Sequence, residues 1–375
     1  MKRFKPLLSP ACAVLPGAFL LFWTVSLQAQ TIKIGVQLPV TGERADVGKM
    51  MQNGLQMALE KANRDSGQKF ELVWEDDQSD SDAGVKALEG LVNDSQVVAI
   101  AGEINSPFVM ASKPLVEKQG VPYLTGGTSP RTTEQAQYVF RVAASDSLLS
   151  GLMTKYVVEQ LNLKNLAILH DKTGIHNQRA AMVAAALKEK YGITPAVNAS
   201  WAPGDRDFSS QIAQLKAAPV QGIIALGETP EGGPLLKQLK SSGIKAQVIA
   251  HRDFGAKKAL DESAGGADGA LIFTEYAPDL QGQDTRTWAS DYRQRYHSDA
   301  NVIAAQYYDA LLLLAAAAKQ GGPTRAGIKS GLEAVKGFKG VMADYTFDAA
   351  RNGAHRFFVA KVTGGKLTLA ATLTE

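Results

Sequence analysis

Cysteine is all but missing from this sequence: Cys12 is the only one. It lies ahead of an apolar run, whereas lipoprotein processing needs a cysteine just behind one, so no lipid anchor is expected. Removal of the N-terminal segment would leave no thiol. That excludes disulfides and thiolate metal sites and suits an oxidising compartment. An excess of one charge is missing too. Lys2, Arg3 and Lys5 are three of the 40 basic residues, and the remaining 37 face 37 acidic ones. Such a balance gives no support for nucleic acid or anionic membrane as a partner. No stretch after residue 29 reads as long and apolar enough to span a bilayer, and repeats, low-complexity tracts and charge blocks are absent. Enzyme motifs are missing as well. No GxGxxG follows the first strand, where the turn is Pro39-Val40-Thr41-Gly42-Glu43, and neither GxxxxGK(S/T) nor GxSxG occurs. His170, His176, His251, His297 and His355 form no HExxH and no close pair. An enzyme is therefore not expected, nor a metal or cofactor.

What is present starts with a leader pattern. Three basic residues precede an apolar run from Ala13 to Val25, and Ser26-Leu27-Gln28-Ala29 follows. The run suits a secretory signal and is short of the ~20 apolar residues that a membrane span needs. Small Ala29 fits the last position before a cleavage site, so residues 1–29 read as a signal peptide and the mature chain as starting at Gln30. The roughly 345 residues that remain are too many for one core and suit two domains.

From Thr31 onward short apolar runs alternate with helical stretches. Strands are predicted over Ile32–Val40, Phe70–Glu75, Val97–Ala101 and Val121–Thr125. Helices fall between them, over about Val47–Asn63, over Ala83–Val92 with Asp80 and Asp82 as capping candidates, and from Pro107. The alternation starts again after Ser145. A helix is expected over Leu149–Leu161, strand Leu166–His170, helix Asn177–Tyr191, then strands Gly222–Gly227, Gln247–Ala250 and Ala270–Phe273 with helices between. Two such sets predict α/β architecture with two doubly wound parallel-sheet lobes. Helices near Thr285–Tyr296, Ala304–Lys319 and Arg325–Val335 follow, and then β-like segments Tyr345–Phe347, Arg356–Val362 and Lys366–Leu369. The chain reads as returning to the first lobe near Tyr276 and crossing again near Gly353. That divides it into 30–144 with 276–352, and 145–275 with 353–375. Three crossings make a hinge, as closure around a ligand requires.

Several blocks, in this order and spacing, carry a resemblance: IKIGVQLPVTGERADVG, EDDQSD before AGVKALEGLV, VVAIAGEINSPFVMA, VPYLTGGTSP, LAILHDKTG, and the helix bearing Tyr307-Tyr308-Asp309-Ala310. From Thr31 to about Leu369 the chain is similar to the branched-chain amino-acid (Leu/Ile/Val)-binding proteins of ABC transporters, which have the type I periplasmic-binding fold. The resemblance implies a periplasmic, monomeric protein that captures a small solute and delivers it to an inner-membrane ABC permease without doing chemistry. The alternative is a sensor of the same fold that presents ligand state to a receptor or regulator.

The resemblance also assigns residues. In the family a Ser opening the third helix binds the ligand carboxylate, and Ser106 stands there. A helix N-terminus leaves outward N–H groups and partial positive charge, so the physics agrees, although Ser106 before Pro107 also suits a simple N-cap. The loop Thr125–Pro130 matches the family's second carboxylate loop. Gly126 and Gly127 allow close backbone approach, and Thr128 offers a hydroxyl and an amide. Relatives that take aliphatic amino acids line the pocket with aromatics, but the matching positions are Val47, Ile175, Glu228 or Thr229, and about Ile303. Tyr276, Tyr307 and Tyr308 stand as other candidate walls, Tyr308 equally as packing of its own helix. Where the family has a Glu for the ligand's ammonium, this chain has Arg252, in His251-Arg252-Asp253. Arg252 in the cleft would favour a second anionic group or an amine-free acid; otherwise it is a solvated strand-end charge. Asp253 or Glu228 is left to serve an amine. His176 either reaches the cleft or caps its helix. Glu103, flanking the carboxylate site with Asn105, is expected to face solvent or a cation. The ligand expected is thus a small carboxylate or amino acid.

Overall fold

A computed structural model describes residue 1 and residues 31–375 of the protein; the leader and its cleavage site lie outside the described residues. The first sheet holds β1 (Ile32–Leu38), β2 (Phe70–Asp76), β3 (Val97–Ala101), β4 (Tyr123–Thr125) and β5 (Val139–Arg141). All its pairings are parallel, in the order β2-β1-β3-β4-β5. β1 reads IKIGVQL and is buried at six of its seven positions, as expected of a strand covered on both faces. The covering helices are α1 (Ala45–Asp65), α2 (Ser81–Asn93) and α3 (Ser106–Gln119). Asp80 caps α2 by accepting from the amides of Asp82 and Ala83, and Asp82 sits in the first turn, where the helix dipole favours an acid.

After α4 (Asp146–Lys155) comes a π-helical turn over Tyr156–Gln160, so the regular helix is shorter than the periodicity suggested. The second sheet begins with β6 (Leu166–Asp171), β7 (Val197–Trp201), β8 (Gly222–Leu226), β9 (Gln247–His251) and β10 (Leu271–Thr274). Its helices are α5 (Gly174–Tyr191), α6 (Ser209–Lys216), α7 (Thr229–Ser241) and α8 (Lys257–Glu262). Then come α9 (Gln283–Tyr296), α10 (Val302–Gly321) and α11 (Arg325–Glu333), and β11 (Lys336–Lys339) pairs with β12 (Asp344–Thr346) in a small sheet of their own. β13 (Arg356–Thr363) returns to the second sheet antiparallel to β10, and β14 (Lys366–Thr374) pairs antiparallel with β13 at its edge. That sheet is therefore mixed. The reversal lies at Gly364-Gly365, both at positive φ, the two-residue turn that matches strand twist.

By length and composition α10 does pass as a bilayer span, contrary to the sequence reading, but most of it is buried inside the protein. It lies against α1, and Gly54 makes the approach possible: a Cβ there would stand 2.1 Å from the Ala304 carbonyl oxygen. Farther along α10, the buried Asp309 carboxylate accepts from the amides of Val341 and Met342 (both 2.8 Å) and the hydroxyl of Tyr345 (3.0 Å).

Both sheets share one winding. β2-β1-β3-β4-β5 and β7-β6-β8-β9-β10 each reverse direction beside their first strand. The loops leaving the carboxyl ends of the strands at such a reversal are where open α/β sheets place ligands.

Candidate functional site

The first wall is built at the ends of β3 and β4. Asn105 precedes α3 in extended conformation, so Ser106 is the first helical residue and not its cap. The Ser106 hydroxyl accepts from the Ser129 amide (3.1 Å), which leaves its own hydrogen to donate. Thr125 ties the two loops, donating from Oγ1 to the Glu103 carbonyl (2.6 Å) and accepting from the Gly127 amide (2.8 Å). A Cβ on Gly126 would stand 2.8 Å from Gln306 Oε1 and 3.0 Å from Ile104, so a side chain there would have to displace Gln306. The Thr128 hydroxyl is engaged, at 3.1 Å from Asp146 Oδ2 and 3.3 Å from Arg179 Nη2. Its amide donates to no group among the described residues. The wall thus offers a free amide, a free hydroxyl hydrogen and a helix N-terminus, which together suit an anion.

Glu103 does not face solvent or a cation, as the sequence reading expected. It is fully buried beneath this wall and its Oε1 accepts from the Asn105 amide (2.7 Å). Its other oxygen and Oδ2 of fully buried Asp77 have no separate partner among the described residues, and the two carboxyls face each other. Burial, and then the Asp77 charge, pushes Glu103 up to about 8, so the folded protein keeps a proton that the unfolded chain releases near the ordinary 4.5. The stabilisation is full below 4.5 and is lost as pH rises toward 8. Denaturation followed between pH 5 and 8 should show stability falling with pH, with a flatter dependence in Glu103→Gln. An unchanged slope in that variant would assign the proton elsewhere.

The second wall comes from β6, β8, β9 and β10. His176 neither reaches the cleft nor caps α5. The Thr173 hydroxyl caps by accepting the His176 amide, while the fully buried imidazole has Nδ1 2.7 Å from Asp171 Oδ2 and Nε2 3.1 Å from Arg179 Nη1. A guanidinium only donates, so Nε2 must accept and Nδ1 carries the hydrogen. Glu228 leads into α7, and its carboxylate makes no hydrogen bond or ion pair among the described residues. Loss of water in the cleft, and then the Asp253 charge, raises it above the ordinary glutamate range. Arg252 Nη1 donates to buried Glu275 Oε1 at 2.8 Å. Burial pushes Asp253 up, but His251 and Arg252 outweigh it and hold the carboxyl below its ordinary range. His251 is pushed down to about 4 by burial and the Arg179 charge, so a neutral imidazole stands 2.8 Å from Asp253 Oδ2.

The two walls enclose a cleft of about 590 Å3, within the range of small-molecule sites. Ser106, Gly126, Thr128, Ile175, Glu228, Arg252 and Asp253 all line it. So do Val47, Thr229, Ile303 and Tyr276, which makes its apolar surface mostly aliphatic. Gly127 stands behind the wall, packed on Thr132, Thr125 and Ser106. Tyr307 is buried and donates to the Gly102 carbonyl, and Tyr308 packs on Trp288 with ring centres 5.2 Å apart. A larger cavity of about 890 Å3, bordered by Arg141, Lys155 and His355, includes none of the predicted site residues. Among the cleft residues not expected from the sequence, beside Asp146, Gln178 and Gln306, is Arg179. The available signal was its place in the buried stripe His176, Arg179, Ala180, Val183 and Leu187 of α5, where a charge demands partners.

The chain belongs to the periplasmic binding protein family, whose model matches residues 31–366. Within that family it is of the branched-chain amino-acid type found in ABC transporters. It is 28% identical to the leucine-, isoleucine-, valine-, threonine- and alanine-binding protein of Pseudomonas aeruginosa, over 80% of this chain and 81% of that protein. The crystal structure of the substrate-binding protein LivJ of Streptococcus pneumoniae in complex with isoleucine superposes with a TM-score of 0.76 and 25% identity, covering 92% of this chain and 99% of that one. A solute-binding protein from R. palustris in complex with benzoate has the same fold, with a TM-score of 0.76 at 18% identity over 92% of this chain and 97% of that one.

Proposed function

We propose that this protein captures a small α-amino acid in the cleft, closes its two lobes over it and hands it to an inner-membrane ABC permease, with no chemistry. One observation carries the reading: the opposed walls present complementary unpaired groups. The first offers the Ser106 hydroxyl hydrogen, the Thr128 amide and the start of α3 to a carboxylate. The second offers Glu228 without a partner and Asp253 kept ionised, which suits an ammonium. The fold alone does not select the ligand, because it holds isoleucine in one protein and benzoate in another. Val47, Ile175 and Ile303 supply aliphatic contact for a side chain.

The family and the leader pattern support export to the periplasm, with cleavage assigned after Ala29. The backbone leaves the first sheet after β5, comes back through α9 to α11 and leaves again before β13, which supports lobes joined by three crossings. Ligand docks first at Ser106 and Thr128, and the second wall then swings onto it. Closure follows only from contact with both walls, since a ligand shifts an equilibrium by its differential affinity.

The test is a thermal-shift screen on mature protein that has been unfolded, dialysed and refolded. The panel holds aliphatic, acidic and aromatic amino acids beside dicarboxylates and benzoate. A ligand at a hundred times its dissociation constant adds about 2.7 kcal/mol, a shift of several degrees. An amino acid is expected to give the largest shift. A larger shift with an amine-free acid would overturn the ammonium assignment and bring Arg252 forward as the second anion site.

A further inference from the structure

Arg179 belongs to the second lobe, yet it touches the carboxylate loop of the first. It stands on α5, is 3% exposed and borders the cleft. Three contacts fix its guanidinium: Nε donates to Asp146 Oδ1 (2.7 Å), Nη1 to His176 Nε2 (3.1 Å) and Nη2 to Thr128 Oγ1 (3.3 Å). A guanidinium carries five N–H groups, so one on each terminal nitrogen is left without a partner among the described residues. The neighbouring Gln178 makes a second contact to the same loop, donating to Ser129 Oγ at 3.2 Å. Ser129 in turn donates its amide to Ser106. The start of α5 is thereby packed on Thr128 and Ser129, beside the proposed anion position.

The neighbouring groups show why this arginine differs from Arg252. Arg252 is paired with Glu275 and lies beside Asp253, and it makes no hydrogen bond to Ser106 or Thr128. Arg179 meets Thr128 itself, and it takes over what Thr128 cannot give. The Thr128 hydroxyl hydrogen goes to Asp146, since the guanidinium has none of its lone pairs to offer and the carboxylate none of its hydrogens. The donor lost from the threonine is replaced by guanidinium N–H groups, which bind carboxylate as a planar fork. His176, with Nε2 3.1 Å from Arg179 Nη1 and Nδ1 2.7 Å from Asp171 Oδ2, keeps that fork in place.

We infer that Arg179 is a ligand-binding residue that grips the ligand's carboxylate from the second lobe, so that one anionic group is clasped by both lobes and becomes the latch of closure. The inference rests on the proposed reading of the cleft as a carboxylate site. It makes the free acid the required ligand form and excludes amides and esters of the same compounds. It also makes the carboxylate, and not only the amine and side chain, a contact that differs between open and closed states.

The experiment measures dissociation constants by calorimetry for L-leucine and L-leucinamide, L-phenylalanine and L-phenylalaninamide, and benzoate and benzamide. The proteins are wild type, Arg179→Lys, and Asp146→Asn with Arg179→Gln, the last removing the buried ion pair together so that neither charge is stranded. Circular dichroism checks that each is folded. Wild type is expected to prefer the acid strongly, and Arg179→Lys to shrink the acid-over-amide ratio by about tenfold or more as the fork is lost. A merely structural role would weaken acid and amide alike and leave the ratio unchanged. An unchanged ratio in a folded variant that still binds overturns the Arg179 assignment and leaves the cleft reading intact. Should wild type bind none of the acids, or bind acid and amide equally, the carboxylate reading of the cleft falls, and the inference with it.

Discussion

Replacing Glu228 by glutamine and Asp253 by asparagine lowers affinity for the bound amino acid by about 100-fold, while an amine-free acid keeps or gains affinity. The reason is electrostatic. Each hydrogen bond to a charged partner is worth about 1.5–3 kcal/mol, and the double variant leaves the ligand's ammonium without an anionic partner beside the Arg179 and Arg252 charges. Glu228 is exposed to the cleft and has no partner to lose, so its change costs the fold little. Asp253 accepts from Thr229 at 3.4 Å and stands beside neutral His251, which an asparagine oxygen can also do. The same assignment sets a pH dependence. Ammonium binding needs ionised Glu228, whose titration lies above the ordinary glutamate range for want of water and because of Asp253. Affinity should therefore begin to fall on acidification at a higher pH than an ordinary glutamate would allow, and the double variant should lack that limb. Calorimetry at several pH values measures both. Equal affinity of wild type and variant for the amino acid would remove these residues from the site.

The second large effect concerns stability. Asp309→Ala is expected to cost about 3–5 kcal/mol, because three buried donors converge on this carboxylate and lose their acceptor together. Gly340 makes room for the group: a Cβ there would stand 2.3 Å from Asp309 Oδ2. The contact fixes the segment that leads from α10 and α11 into β12, just before the chain returns to the second sheet. Asp309→Asn should cost less, since one oxygen still accepts. Urea denaturation gives the difference directly. An unchanged midpoint for Asp309→Ala would mean that the three donors find other partners and that the carboxylate is not an anchor.

Most strands were legible because both faces of each are covered, so that β3, β8 and β10 read as unbroken apolar runs between turn residues. β5 was missed because three residues carry no period. β7 was missed although Val197, Ala199 and Trp201 alternate inward, since Asn198 and Ser200 between them dilute the run. On the site, the helix start at Ser106 and the glycines before Thr128 were legible as local backbone chemistry. His176 and Glu103 were misplaced for a common reason. A polar residue reads as exposed unless its partner is known: Glu103 meets Asp77 from a different loop, while His176 meets Asp171 and Arg179 only once the start of α5 is turned inward.

What the sequence by itself determined was the alternation of strand and helix, the two sets of it, and the loops after β3 and β4 to which the proposed anion site is assigned. Each depends on periodicity or on neighbours within a few residues, where a helix start or a bare backbone follows from residue type. Only the tertiary structure decided which charges meet. Arg252 is paired with Glu275, Asp77 and Glu103 share one burial, and Arg179 reaches Thr128 across 51 positions. Burial strengthens or punishes a charge according to what lies within a few ångströms, and that distance is set by how the two sheets face each other, not by order along the chain.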